Sequence, residues 1–264
     1  MPGARSDSVR ALSRGIAVLK AINLRGTLTL TEIGELCGIP YATASRISQT
    51  LAAEGLIARE PGGKRFRATG LVRTLAQGFQ GSGRLATAAR PHIISLTRKI
   101  AWPVSITTRI GPDMVVQDSS HSHTTMAFSC PDPGYSLPVL ECAAGIAHLC
   151  SLPEEQFQDI LAGLRIIDMP HLRHALERLS EGDLRAQVRA HGFATRSNVP
   201  FTRHPGRTSA IAIPLFDRGR AAGAITLIYF ASALRMAEAV NRFLPDLRAA
   251  ASAIERSLDE LPEL

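Results

Sequence analysis

The stretch "LTEIGELCGIPYATASRISQTLAAEG", residues 30–55, is the feature that most limits what this chain can fold into. Two runs of helical periodicity are separated only by Gly38, Ile39 and Pro40. Glycine closes a helix in the left-handed conformation, and proline opens one where its missing amide hydrogen is no loss. Two short helices must therefore cross at a tight turn. Thr31 is read as the N-cap of the first, ahead of Glu32, Ile33 and Leu36. The second runs to Glu54 and stops at Gly55. Its apolar positions are Ala44, Ile47 and Leu51. Tyr41 and Ala42 stand at its entrance, and Thr43, Ser45, Arg46 and Gln49 make a short polar outer side without a single acid.

The flanks complete a motif. Residues 9–24 repeat Leu12, Ile16, Leu19 and Ile22 at helical spacing. After Gly55, "LIARE" and "RFRAT" alternate apolar and charged residues around the turn "PGGK", which reads as a β-hairpin. Helix, helix, tight turn, helix and hairpin make a winged helix-turn-helix. In this motif the second helix of the pair enters the major groove. Acids on its outer face would be repelled by phosphate. Arg46 suits a bidentate contact to guanine and Gln49 one to adenine, each worth about 1–3 kcal/mol of discrimination. Thr31, Thr43 and Ser45 offer hydroxyls, and Lys64 and Arg65 at the hairpin tip are placed for a flanking phosphate or the minor groove. Arg14 and Arg10 add backbone contacts from the first helix. Charge agrees: residues 1–80 carry 11 Lys/Arg against 5 Asp/Glu, and residues 81–264 carry 19 against 18. A solvated helix in a protein-binding subdomain is the competing reading.

The remainder reads as a second domain. Boundaries are set at 1–70 for the winged helix-turn-helix, 71–83 for a linker helix and glycine-containing joint, and 84–264 for the body. The body mixes helices with two hairpins, "PVSITTRI–GPD–MVVQDSS" and "GRTSAIAIPLFD–RGR–AAGAITLIYF", and ends in a long amphipathic helix containing Pro245. The fold class is α+β: the winged head, then a mixed α/β domain with an antiparallel sheet flanked by helices. Within it, "ECAAGIAHL" starts a helix with the small residues Ala143, Ala144 and Gly145. These let an anion approach free backbone N–H groups, although close packing also selects Ala and Gly. On "GAITLIYF", Thr226 and Ile228 share one strand face. Trp102, Phe128 and Leu137 are candidate apolar walls, and Arg203 and Arg207 candidate carboxylate partners from a loop.

Other chemistry is weakly represented. His121 and His123 would share a face if that segment were a strand, but no third ligand for a metal is evident, and none is expected. The four cysteines are scattered and read as reduced. No nucleotide-binding or hydrolase motif appears, so neither a cofactor nor catalysis is expected. Without a signal core or a run of roughly eighteen apolar residues, the chain is expected to be cytoplasmic and away from membranes.

Taken together, "LSRGIAVLKAI", "LTEIGELCGIPYATASRISQTLAAEGLI", "REPGGKRFRAT", "CAAGIAHL" and "IAIPLFDRGRAAGAITLI" resemble the IclR family of bacterial transcription regulators over nearly the whole chain. "WPVSITTRIGPDMVVQDSSH", "LPVLECAAG" and "LIYFASA" are most similar to the MhpR-type activators of 3-(3-hydroxyphenyl)propionate catabolism. The resemblance implies a homodimer or tetramer, a double-stranded DNA operator, contact with RNA polymerase and a small carboxylate or aromatic-acid effector held by the body. It also implies hydroxyl residues on the strand of Thr226, one of whose usual positions is Ile228 here. Two alternatives remain: a DNA-binding regulator without a small ligand, and an enzyme carrying a DNA-binding head, with its chemistry in the body near Cys142 and His148. The residues leave activation or repression, the operator and the effector open.

Overall fold

A computed structural model describes residues 9–75, 83–127, 133–166, 173–180, 183–197 and 206–262. The chain divides into two units, residues 1–79 and 80–264.

The first unit is a three-helix winged fold. Helix α1 (Arg10–Arg25), α2 (Leu30–Cys37) and α3 (Tyr41–Ala53) pack around Val18, Ile22, Ile33, Ile39 and Ala44, all buried. The α2–α3 turn is as the sequence predicts: Gly38 has φ +62 and Pro40 precedes α3. Gly34 lets the turn close, since Ile39 donates its N–H to the Gly34 carbonyl at 2.9 Å. A Cβ on Gly34 would lie 3.0 Å from the Ile39 carbonyl oxygen.

The cap of α2 is Thr29, not Thr31. Thr29 and Glu32 make a reciprocal capping box, in which the Glu32 carboxylate takes the Thr29 N–H at 2.7 Å. The spacing of three residues between hydroxyl and carboxylate decides it. The wing also gains a strand the sequence did not announce. Strand β1 (Thr27–Thr29) pairs with β3 (Arg65–Ala68), whose other edge holds β2 (Ile57–Arg59). Three residues carry too little periodicity to be read as a strand; the pairing is visible only in the fold. Helix α4 (Leu71–Thr74) follows.

The second unit is a six-stranded antiparallel sheet in the order β6-β5-β4-β9-β8-β7. Its strands are β4 (Val104–Ile110), β5 (Asp113–Ser119), β6 (Ser136–Pro138), β7 (Ala194–Ser197), β8 (Thr208–Asp217) and β9 (Arg220–Phe230). Helix α5 (Gly83–Ile100) and α10 (Met236–Glu260) cover one face. There the large inward residues collect: Val104, Ile106, Ile211, Ile213, Leu215, Ile225, Leu227 and Tyr229. Both helices carry their prolines, Pro91 and Pro245, internally without ending. Helix α6 (Ala143–Ser151), backed by α7 (Glu154–Ile166), α8 (Arg173–Ser180) and α9 (Asp183–His191), covers the other face. The sheet residues beneath α6 are small, among them Ala212 and Ala224. The period of two along β8 and β9 therefore splits cleanly into a bulky side and a small side.

Two glycines allow close backbone contacts, one between α6 and the segment before it and one between β9 and β4. A Cβ on Gly145 in α6 would sit 1.9 Å from the Val139 carbonyl oxygen. One on Gly223 in β9 would sit 2.2 Å from the Thr107 carbonyl oxygen. Backbone stands at both points and cannot give as a side chain would. Gly145→Ala is expected to cost about 3 kcal/mol or more of unfolding free energy, because overpacking against backbone cannot be relieved by a rotamer change. Urea unfolding of the full chain measures it, and an unchanged midpoint would show that α6 and the Val139 segment part freely.

Candidate nucleic-acid interface and effector pocket

Helix α3 presents two faces. Ala44 and Ser48 are fully buried against α1 and α2, with Ile47 and Leu51 half-buried beside them. Tyr41, Ala42, Arg46 and Gln49 are exposed. Between α3, the start of α2 and the wing lies a groove of about 690 Å³. Five residues singled out in the sequence meet there: Thr31, Tyr41, Ser45, Gln49 and Lys64. Arg59 joins them; its Nε donates to the Gly63 carbonyl at 2.9 Å and shapes the wing tip. Its role was not visible in the sequence, because the wing turn that orients it depends on the fold. Arg46 and Ala42 stand on the crest of α3. Thr43 is half-buried and outside the groove lining, and Arg14 is exposed on α1.

Arg65 has partners within the first unit. Its guanidinium, half-exposed on the wing, donates to the Thr27 carbonyl at 2.9 Å and to Glu32 at 3.2 Å. The pairing of β1 with β3 puts Arg65 opposite Thr29 and so beside the capping carboxylate. The backbone and side-chain hydrogen bonds from Thr29, then Arg65, hold the Glu32 carboxyl below its ordinary range. Arg65 thus ties wing to α2, and Lys64 and Arg67 are the exposed cations of that edge.

In the second unit, α6 begins at Cys142, whose Sγ accepts the Gly145 N–H at 3.3 Å and whose carbonyl accepts that of Ile146. Among the described residues, no partner is found for the Ala143 and Ala144 N–H groups. Ala143, Ala144 and Gly145 are buried on the small-residue side of the sheet. Thr226 lies on that side too: it pairs with Ser105 on β4 and Ala212 on β8. It is 6% exposed, and its Oγ1 has no hydrogen-bond partner. Ile228 follows on the same face, half-buried, and Leu137 packs against the same cluster from β6. Next to the α6 N-terminus, Glu141 is buried and accepts from Arg196 of β7 at 3.0 Å. Burial pushes the Cys142 thiol up to about 12, so it is not a nucleophile.

Other expectations change. Trp102 belongs to the opposite side, in the core with α5 and α10, edge-on to Tyr229 and Phe230. It starts the strand that supplies Ser105, but the sheet separates it from α6. His121 and His123 do not lie in a strand; they form a single 3-10 turn, so their rings do not share a face. His121 Nδ1 is bonded to the Ser119 hydroxyl, and Asp118 is paired with Arg90 at 2.9 Å. Among the described residues no group of three His, Cys, Asp or Glu could hold a metal ion. Arg207 is exposed just before β8, its carbonyl accepting the Ala231 N–H. Phe128 and Arg203 lie outside the described residues. Thr107 and His148, both buried on the α6 side, received no binding role in the sequence reading; only register and helix placement bring them to Thr226's face.

A winged helix-turn-helix with an acid-free second helix, together with a second domain whose helices cover a sheet on both faces, defines a DNA-binding transcriptional regulator with a separate C-terminal body. Residues 11–61 match the IclR helix-turn-helix domain, and residues 81–256 match the C-terminal domain of bacterial transcriptional regulator IclR. The chain belongs to the IclR family of bacterial transcriptional regulators. It is 26% identical over 254 residues to the regulator SauR of Cupriavidus necator, covering 96% of this chain and 97% of that one. It is 27% identical over 160 residues to the transcriptional repressor IclR of Escherichia coli, covering 59% of this chain and 58% of that repressor. In fold it is similar to an IclR homolog from Microbacterium hydrocarbonoxydans solved with 4-hydroxybenzoate. That match has TM-score 0.67 and 20% identity, over 95% of this chain and all of the other. No described helix is long and apolar enough to cross a membrane.

Two histidines of the second unit are held neutral. Burial lowers His148 to about 4, with the Arg109 charge adding to the effect and a hydrogen bond to the Gly223 backbone opposing it. Burial alone lowers His121 to about 4. A histidine whose folded value lies below its unfolded 6.5 weakens the fold as the unfolded state takes up protons first. Stability is therefore expected to be flat in this respect above pH 6.5, to fall between 6.5 and about 4, and to lose nothing further from these groups below that. Thermal melting across this range checks it, and His121→Gln should remove part of the decline.

Proposed function

We propose that the protein is a ligand-responsive, sequence-specific regulator of catabolic genes for a small carboxylic acid, with an aromatic acid the preferred effector. The observation that carries the reading is the pairing of open backbone N–H groups at the start of α6 with the unpartnered, buried Thr226 hydroxyl on the same side of the sheet. N–H groups and the helix dipole suit a carboxylate, and a hydroxyl suits one of its oxygens. Leu137 and Ile228 supply apolar surface nearby. The structural neighbour solved with 4-hydroxybenzoate supports an aromatic acid, and the MhpR-type resemblance points the same way.

On this reading α3 lies in the major groove, with Arg46 and Gln49 reading bases and Lys64 on a phosphate. A second copy is expected, because α1 leaves Val9, Leu12 and Ile16 exposed as an apolar stripe at helical spacing. A dimer would read two half-sites about one helical turn apart. The effector acts only if it binds one arrangement of the heads better than another. Residues 71–83 would link the two domains, and an activator of this type would also meet RNA polymerase. Nothing in this mechanism calls for turnover of the acid.

Arg46→Ala is expected to relax preference for the operator over altered sequences, by about 1–3 kcal/mol at the position it reads. Lys64→Ala should weaken binding to all duplexes alike and reduce the salt slope by about one. Competition binding at several salt concentrations separates the two, and an unchanged preference in Arg46→Ala would remove α3 from the groove. For the body, an effector at a hundred times its dissociation constant should stabilise the fold by about 2.7 kcal/mol. Melting with benzoates, phenylpropionates and short keto-acids tests it. A shift with keto-acids alone overturns the aromatic preference, and no shift with any acid favours a regulator without a small ligand.

A further inference from the structure

Arg65 joins the wing to the helical part of the first unit with both its backbone and its side chain. Its carbonyl accepts the Glu60 N–H at 2.9 Å and closes the hairpin. One arm of its guanidinium donates to the Thr27 carbonyl at 2.9 Å, the other to the Glu32 carboxylate at 3.2 Å. Thr27 opens β1, and Glu32 belongs to the capping box that starts α2, so one side chain brackets the whole of β1. The other attachments of this edge are short. Strand β1 meets β3 over three residue pairs, and Phe66 is the one buried residue of β3.

The cations of the wing are set out from this point. Lys64 is the residue before Arg65. Arg59 stands opposite Phe66 in the β2–β3 register, and its Nε is bonded to the Gly63 carbonyl at 2.9 Å. Both line the groove of about 690 Å³ beside α3, together with Thr29 of the α2 cap. Arg65 is not part of that lining, although its side chain is 43% exposed. Two of its nitrogens are engaged with β1 and α2 instead. A guanidinium is a rigid planar fork, and two bonds from two of its nitrogens fix its plane; an ammonium is a point charge on a flexible stem.

We infer that Arg65 is a positioning residue of the DNA interface: its fork holds the wing to the start of α2, and so places Lys64 and Arg59 beside α3, without itself meeting DNA. This rests on the DNA contacts of α3 and Lys64 proposed above and adds what keeps the wing in register with them. The two roles open to Arg65 ask different things of the side chain. A phosphate contact needs a positive charge, which lysine also supplies. A tie to two acceptors on two elements needs the fork. Arg65→Lys therefore separates the roles, and a double-mutant cycle with Lys64→Ala shows whether Arg65 acts through its neighbour.

The test is the salt dependence of binding by the full chain, with the native protein, Arg65→Lys, Lys64→Ala and the double variant. The probe is one duplex selected by the native protein from a random-sequence pool. Each phosphate contact contributes about 0.9 to the slope. Arg65→Lys should lose about one or more of that slope although it keeps its charge, and Lys64→Ala should then remove nothing further. Preference for the selected duplex over altered ones, which α3 sets, should be kept. Hydroxyl-radical protection should vanish from the flank of the site alone. Urea unfolding shows that the variants fold. A native slope in Arg65→Lys, with a loss of about one in Arg65→Met, makes Arg65 a phosphate contact and overturns the inference. Additive losses in the double variant overturn it too. A lowered urea midpoint with native slope and footprint leaves Arg65 as a stabilising ion pair alone and also overturns it. An unchanged slope in Lys64→Ala overturns the phosphate role of Lys64 itself, and this inference with it.

Discussion

Two places where backbone meets backbone govern the second unit. At Gly145 the α6 helix comes so close to the Val139 carbonyl that a methyl group has no room, and at Gly223 the same holds between β9 and the Thr107 carbonyl. Close approach of this kind is available only to glycine. It fixes α6 against the segment that leads into it, and β9 against β4. Small residues lie where α6 covers the sheet: Ala212, Ala224 and Thr226 on the strands, and Ala143 and Ala144 on the helix. Larger side chains would lift the helix, and smaller ones would leave a void.

The other side of the sheet follows different rules. Ile106, Ile213, Ile225, Leu227 and Tyr229 meet two long helices, and the space is filled by bulk. Leu85, Ile93 and Leu96 of α5 and Phe243, Leu247 and Ile254 of α10 complete it. Burial of such side chains contributes about 1.5–3 kcal/mol each. The α6 side has its own apolar core, with Leu140, Leu149, Phe157, Leu161 and Leu179 fully buried, but the strand residues facing it are smaller and in places polar.

The parts of this arrangement written in short-range chemistry were legible in the sequence. Gly38 and Pro40 punctuate α2 and α3 as the turn requires, and both hairpins of the body fall where alternation and turn residues put them. Thr226 and Ile228 share a face because the period of a strand is two. The cap of α2 was also local: Thr29 lies two residues before Thr31, and the three-residue reach of Glu32 selects it. What depended on long-range pairing was not legible. Arg65 reads as a wing-tip cation until β1 is seen to pair with β3 and bring Glu32 beneath it. Trp102 looks like a ring wall from its position before a strand, yet strand twist and the cover of α5 turn it to the bulky side. His148 has the helical spacing of any core residue, and nothing local marks its Nδ1 as unsatisfied.

The fate of Arg65 also changes how the charge of the first unit should be read. The excess of basic over acidic residues there is the strongest compositional sign of a polyanion partner. Yet Arg65 is already paired with the Glu32 carboxylate and bonded to the Thr27 carbonyl, so part of that charge is met within the first unit. Breaking that pair would release the Glu32 carboxylate from a partner of its cap and return a negative charge to the edge of the groove. Arg46 on the crest of α3, Arg59 in the groove and Lys64 and Arg67 along the wing carry the outward charge instead. These four cations lie on the second helix of the pair and on the wing, the two elements a duplex would meet, and phosphate contacts of that kind set register on DNA.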